Sequence, residues 1–367
     1  MEEKLLKNEE RAVFALRALY RQYGYLPFKM SKFEEYDLYV RNKDFLISDR
    51  IITFNDTNGK LMALKPDVTL SIVKNGEDLS GVKQKVYYNE NVYRVSGSTH
   101  QYKEIMQTGL ECIGDIDAYD IFEVVSLAAK SLQLISPDFV LDISHLGLLN
   151  SIFNQINASE LFRREVSQAL SEKNSHDILR LCEKHGVSDD VKSMLTEFVG
   201  IYGTKDTVLA RLKPLCINEE AKAAYAELAT LAALFSATDY ADRIRFDFSI
   251  VSDGNYYNGI VFKGFLNGIC EGVLSGGQYD NLLHRMGRRA GAVGFALYLD
   301  LLEELNAVKN EFDVDILILY DEDTDLSELV STCKELTDGG KCVSAQKAFP
   351  PKLRYRELID LTRGNRS

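Results

Sequence analysis

Residues 146–240 separate two stretches of strand-like sequence, and that interruption constrains the fold more than any other feature of the chain. They are rich in Leu, Ala, Glu and Lys at helical spacing and carry very little strand signal. Before them, Ile51–Phe54 and Lys60–Leu64 flank Asn55–Gly59, a turn composition. Lys85–Val95 and Gln107–Ile113 read as two antiparallel strands around the polar loop Ser96–Lys103, and Asp138–Ser144 as another strand. After the interruption, strands are expected at Arg245–Val251, Gly259–Phe265 and Ile269–Ser275. Helices are expected at residues 9–24, where Val13, Leu16, Leu19 and Tyr20 share a face and Gly24 stops the helix, near Leu70–Lys74, and at Ala118–Leu134. From Asp313 onward, the apolar run Ile316–Tyr320, a helix at Leu326–Leu336, Gly339-Gly340 and a strand near Cys342–Ala345 read as the start of a small α/β unit.

The pattern predicts an α+β chain: a mostly antiparallel sheet with flanking helices in 1–145 and 242–305, a helical insertion over 146–241, and a small, shortened α/β C-terminal domain over 310–367. At 367 residues there is ample length for a full core. No apolar run reaches the roughly 18 residues that a membrane span needs, so no membrane role is expected. The N-terminus is charged and amphipathic, without the features of a signal peptide. Six cysteines without CxxC spacing and five dispersed histidines argue for a reducing cytoplasm and against a metal site. The net charge of −12 forgoes the counterion-release affinity of a basic nucleic-acid binder. No phosphate loop, GxGxxG or GxSxG motif is present, and no cofactor is implied.

The most informative stretch is Glu271–Leu302. Ser275-Gly276-Gly277 lets the backbone bend and a ligand approach, or forms a plain turn. Asp280–Met286 is expected as a short helix or turn, 287–291 as a loop, and Ala292–Leu302, apolar at helical spacing, as a buried helix. Gln107 and Glu111 are four apart in a strand, hence on one face. They suit a ligand carrying an ammonium group, or else a solvated face. Asp67 and Thr69 read as helix caps or as site residues. Tyr256-Tyr257 reads as packing or as a pair that orients an imidazole, and Arg94 as half of a salt bridge or as a site residue.

Four motifs, in order, resemble the class II histidyl-tRNA synthetase family over residues 8 to 305: Leu64–Thr69 (LKPDVT), Val92–Gly114, Asn255–Phe262 (NYYNGIVF) and Gly276–Leu302. The resemblance implies a histidine-binding pocket of Asp67, Thr69, Arg94, Gln107, Glu111, Tyr256 and Tyr257, with Gly276, Gly277 and Tyr279 as its glycine-rich wall. The departures are specific. Ser252, Gln278 and Leu301 stand where synthetases carry arginines, Gly259 replaces a further arginine, and Ser96 replaces an acidic residue. Removing one electrostatic donor typically costs a reaction about 3 kcal/mol or more, so several losses should abolish adenylation. These features are similar to the family's non-catalytic branch, the ATP phosphoribosyltransferase regulatory subunits of histidine biosynthesis. That branch implies three partners: a separate catalytic subunit, L-histidine, and a second copy of the chain in a homodimer. tRNA is not expected as a partner, because the C-terminal segment is short and acidic on balance. Its basic residues Lys352, Arg354, Arg356, Arg363 and Arg366 read as a partner contact or a solvated face.

Overall fold

The computed structural model describes residues 8–42, 51–77, 81–95, 100–251, 256–304 and 312–362. Ser96, Ser252, Arg363 and Arg366 therefore lie outside the described residues. The chain divides into two compact units, Met1–Leu305 and Asn306–Ser367.

The first unit opens with α1 (Asn8–Gln22), which buries Ala12, Val13, Leu16 and Tyr20 and stops before Gly24, whose φ of 81° suits glycine. There follow β1 (Leu26–Pro27), β2 (Phe33–Glu35), α2 (Tyr36–Arg41), β3 (Thr53–Asn55), β4 (Leu61–Leu64) and α3 (Thr69–Asn75). Next come β5 (Gln84–Val95), β6 (Tyr102–Gly114), α4 (Ala118–Ile135) and β7 (Phe139–His145). Asp117 caps α4 in a reciprocal box with Asp120, which fixes where that helix begins. The helical stretch holds α5 (Leu146–Gln155), α6 (Glu160–Ser171), α7 (Ser175–Lys184), α8 (Asp189–Val199), the two-residue β8 (Tyr202–Gly203), α9 (Lys205–Leu212) and α10 (Glu219–Phe235). The unit ends with β9 (Ile244–Asp247), β10 (Ile260–Leu266), β11 (Leu274–Gln278), α11 (Asp280–Arg285), β12 (Gly291–Tyr298) and the 3-10 turn Leu299–Glu304.

Nine strands form one sheet in the order β1-β5-β6-β12-β11-β10-β7-β9-β8. Its ladders are antiparallel except β1–β5 and β7–β9, which are parallel, so the sheet is mostly antiparallel, as the strand pattern predicts. A separate antiparallel sheet, β2-β4-β3, carries the hairpin around Asn55–Gly59. One face of the large sheet packs on α1, α4 and the helical stretch in a shared core that includes Leu110, Phe262, Phe295, Leu132, Phe153 and Leu228. The opposite face meets α2, α3 and α11 around Val86, Tyr88 and Tyr279.

Three expectations change. Ala292–Leu302 is not a helix: Gly291–Tyr298 is β12, paired with β11 on one side and β6 on the other. Ala292, Val293, Phe295 and Leu297 are all buried, on both faces of the strand. A strand covered on both faces loses its alternation and reads like a buried helix. β11 begins at Leu274, not Ile269, because a turn at Gly268, with φ of 92°, uses up the preceding residues. β6 begins at Tyr102, five residues before the expected start, since this exposed end of the hairpin carries polar residues that read as loop.

The second unit comprises β13 (Val314–Leu319), α12 (Leu326–Asp338), β14 (Val343–Gln346) and β15 (Tyr355–Asp360), with parallel strand order β14-β13-β15. β15 is an addition to the expected elements. Most of its positions are exposed and it is flanked by basic residues, so it read as part of a basic cluster, but Arg354 bonds Asp313 at 2.6 Å and Arg356 lies over the Phe312 ring.

Candidate functional site

The site lies on the face of the large sheet away from the α1/α4 core, where three elements meet. α3 begins with Thr69, and β4 leads into it through Lys65-Pro66-Asp67. This short segment is tied down at several points. Lys65 is fully buried and ion-paired to Glu90, Tyr93 N–H donates to Lys65 O at 2.9 Å, and Arg94 Nε donates to Pro66 O at 3.1 Å. The Asp67 carboxylate accepts the Leu70 N–H at 2.9 Å. Asp67 therefore does act as a cap for α3, while Thr69 does not, because its hydroxyl is spent on Glu111.

Glu111, on β6, is the centre. Only 3% of it is exposed; it accepts from Thr69 Oγ1 at 2.9 Å and from the Tyr279 hydroxyl at 2.5 Å. Burial pushes its carboxyl up to about 8, those two hydrogen bonds pull the other way, and nearby Asp67 adds to the rise. Asp67 is itself raised by burial, offset by the Leu70 N–H and by Arg94. Two desolvated carboxyls thus lie near each other, an arrangement that an incoming ammonium group would relieve.

The aromatic wall is continuous. Tyr256 lies 4.6 Å from Tyr257 and 5.9 Å from Tyr279, ring centre to ring centre. Tyr256 also bonds Thr69, and Tyr257 bonds Ser275. Burial raises all three phenols, so they remain neutral donors. Gln107, 3% exposed, lies on the same face of β6 as Glu111, with Gly109 between them. Of the glycine pair, only Gly277 belongs to the wall: a Cβ there would stand 2.8 Å from Tyr257 Cδ1. Gly276 is corrected to the other face, where its Cβ would meet Phe262 and Phe295 of the core. Both are strand residues, not a turn, and alternation sends them to opposite faces.

Several site residues escaped the sequence reading. Gly294 is the cross-strand partner of Glu111, and a Cβ on it would come within 1.7 Å of Glu111 Oε2. Tyr88 and Tyr298 stand beside the same groups: Tyr88 is raised by burial and by Glu111, and Tyr298 bonds Arg94. Treating residues 292–302 as a helix hid Gly294 and Tyr298; counting strand positions outward from Glu111 would have found both.

Two positions at which the resemblance expects arginine carry side chains with other tasks. Gln278 Oε1 accepts the Ile260 N–H at 2.7 Å, and Leu301 packs against the large core. Neither side chain carries the positive charge that an arginine would supply.

Comparison with known proteins places the chain in a family. The family model described as histidyl-tRNA synthetase matches residues 1–302. An ATP phosphoribosyltransferase regulatory subunit of Oceanobacillus iheyensis is 27% identical over 284 residues, 76% of this chain and 69% of that one. A crystal structure of an ATP phosphoribosyltransferase regulatory subunit/histidyl-tRNA synthetase from Bacillus halodurans superposes with a TM-score of 0.78 at 23% identity, covering 97% of this chain and 94% of that one. A chain of an ATP phosphoribosyl transferase (HisG:HisZ) complex from Thermotoga maritima does so with a TM-score of 0.61 at 18% identity, covering 78% and 96%. The chain belongs to the histidyl-tRNA synthetase family, and within it resembles the ATP phosphoribosyltransferase regulatory subunits.

Proposed function

We propose that this chain is a non-catalytic regulatory subunit of ATP phosphoribosyltransferase, acting with a separate catalytic subunit in the first step of histidine biosynthesis. Its pocket binds free L-histidine and senses it. The fold would be a synthetase-like core of 1–145 and 242–305 carrying 146–241 as an insertion, in a cytoplasmic homodimer. The observation that carries the reading is the split within one site. The amino-acid half keeps Thr69, Gln107, Tyr257 and Tyr279 around the buried Glu111 carboxyl, whereas the phosphate half has Gln278 bonded to backbone and Leu301 packed against the core.

In this reading Glu111 takes the α-ammonium of histidine, with Gln107 and Asp67 completing the set around it. Tyr256 and Tyr257 flank the imidazole. A homodimer is supported by the β2-β4-β3 sheet, which exposes Phe33 and Phe54 in edge-to-face contact. Among the described residues, no helix is long and apolar enough to cross a membrane.

The test is reconstitution. The purified chain, mixed with a short-form catalytic subunit, should copurify with it and make it active, and L-histidine should inhibit the pair. The chain alone should show no histidine-dependent ATP–pyrophosphate exchange. Exchange at an enzymatic rate, about 1 s⁻¹ or more, would instead make the protein a histidyl-tRNA synthetase. Folded protein that neither exchanges nor copurifies would point to a synthetase-like binding protein with another partner.

A further inference from the structure

Gln278 and Gly259, two positions where family arginines are missing, fit each other. A Cβ on Gly259 would stand 2.0 Å from Gln278 Oε1, so the amide occupies the space that any side chain at 259 would need. That same oxygen accepts the Ile260 N–H at 2.7 Å, and Asn258 N–H donates to Gln278 O at 3.0 Å. One residue further, Asn258 and Asp280 bond reciprocally: Asn258 Nδ2 donates to Asp280 Oδ2 at 3.1 Å, and Asp280 N–H donates to Asn258 Oδ1 at 2.8 Å. The other oxygen of Asp280 accepts the Ala292 N–H of β12 at 2.8 Å.

These bonds run from β11 and α11 to the segment Asn258–Ile260, directly after Tyr256-Tyr257. We infer that Asn258 and Gln278 are positioning residues that hold Tyr256 and Tyr257 in place as a fixed wall of the pocket, with Gly259 leaving the room they need. The inference rests on the reading of this pocket as a histidine site. Neither residue has to touch the ligand. Gln278 supplies a side-chain acceptor to the Ile260 N–H of the short segment, while Asn258, within that segment, accepts the Asp280 N–H and donates to the Asp280 carboxylate. The ring of Tyr257 then lies on Gly277 and that of Tyr256 on Tyr279. An arginine at 259 would be incompatible with Gln278 in this position, so the two departures from the synthetase pattern form one device.

The test uses the full chain. L-Histidine is titrated calorimetrically into wild type, Gln278→Leu, Asn258→Asp, Gln278→Glu and Gly259→Ala. Leu deletes the acceptor, Asp sets a like charge against Asp280, Ala displaces the amide, and Glu keeps an acceptor for Ile260. The first two and Gly259→Ala should each weaken binding by about tenfold, one buried hydrogen bond's worth, while Gln278→Glu stays near wild type. The pH dependence of the residual binding should match wild type, because Glu111 is untouched. A second readout needs no ligand: in chain labelled with meta-fluorotyrosine, the fluorine resonances of Tyr256 and Tyr257 should move in the three disruptive variants and not in Gln278→Glu. Wild-type affinity in the disruptive variants overturns the inference. Should wild type itself fail to bind histidine, the pocket reading falls, and the fluorine spectra alone decide: unmoved resonances overturn the positioning role and moved ones uphold it.

Discussion

Glu111 is a carboxyl whose own surroundings favour its neutral form: burial raises it to about 8 despite hydrogen bonds from Thr69 and Tyr279. Pairing with an ammonium needs the carboxylate, so at neutral pH the pocket must give up a proton when the ligand enters. Histidine affinity should therefore rise with pH between 7 and 8 in wild type, by up to about tenfold per unit, and Glu111→Gln should bind about 10- to 100-fold more weakly with that slope gone. Titration calorimetry in two buffers of different ionisation enthalpy reads the proton directly; no proton release in wild type would remove Glu111 from the ligand. Stability gives the opposite sign. A carboxyl raised on folding keeps a proton that the unfolded chain has lost, so stability falls as pH climbs from the ordinary carboxylate range through about 8. Glu111→Gln should lose that decline, and thermal melts from pH 5 to 8 would show the two curves separating upward. That an amide and a carboxylate share a face was legible from the spacing of Gln107 and Glu111. That the carboxyl is neutral was not, since its burial comes from β12, Tyr279 and α3, far away in the chain.

At the scale of the element, β12 is the decisive strand. It threads between β6 and β11, and its Gly294 is where the Glu111 side chain lies across the neighbouring backbone. A Cβ at 294 would also meet Leu110 O at 2.5 Å, so the obstruction is partly main chain and cannot rotate away. Gly294→Ala should destabilise the protein by about 1–3 kcal/mol, the usual range for overpacking, seen as a lower urea midpoint with an unchanged slope. Glu111→Ala combined with Gly294→Ala should cost less than the two separately, because they share the same space. Strict additivity would show that the two side chains do not meet. The contrast with α1 is instructive. Its buried stripe Ala12, Val13, Leu16 and Tyr20 was readable because the opposite face is wet, whereas β12 is dry on both faces and has no stripe to read.

For the molecule as a whole, the two units have separate cores. The clusters of the first unit end at Leu302, and the second has its own small cluster of Ile316, Ile318 and Leu329. A chain ending at Leu305 should therefore melt within a few degrees of the full protein's main transition and bind L-histidine with the same affinity. Calorimetric melting and titration of the truncated chain check both, and loss of the main transition would show that the pocket unit depends on residues beyond 305. The second unit's β13, α12 and β14 were expected from a run of apolar residues and a helical period. Its edge strand β15 was not, because most of its positions are exposed and Arg356, Glu357 and Asp360 carry charge.

The sequence by itself determined the kinds of element wherever one face meets water, the order of the family's motifs, and which residue types stand where arginines would. Those are local properties, written in spacing and identity. Only the tertiary structure decided that Ala292–Tyr298 is a strand, that Gly277 and not Gly276 lies against Tyr257, that burial raises the Glu111 carboxyl, and that Gln278 fills the space left by Gly259. Each of these depends on which strand lies beside which and on what covers it. Register and burial are set by contacts between residues far apart in the chain, and no period along the chain encodes them.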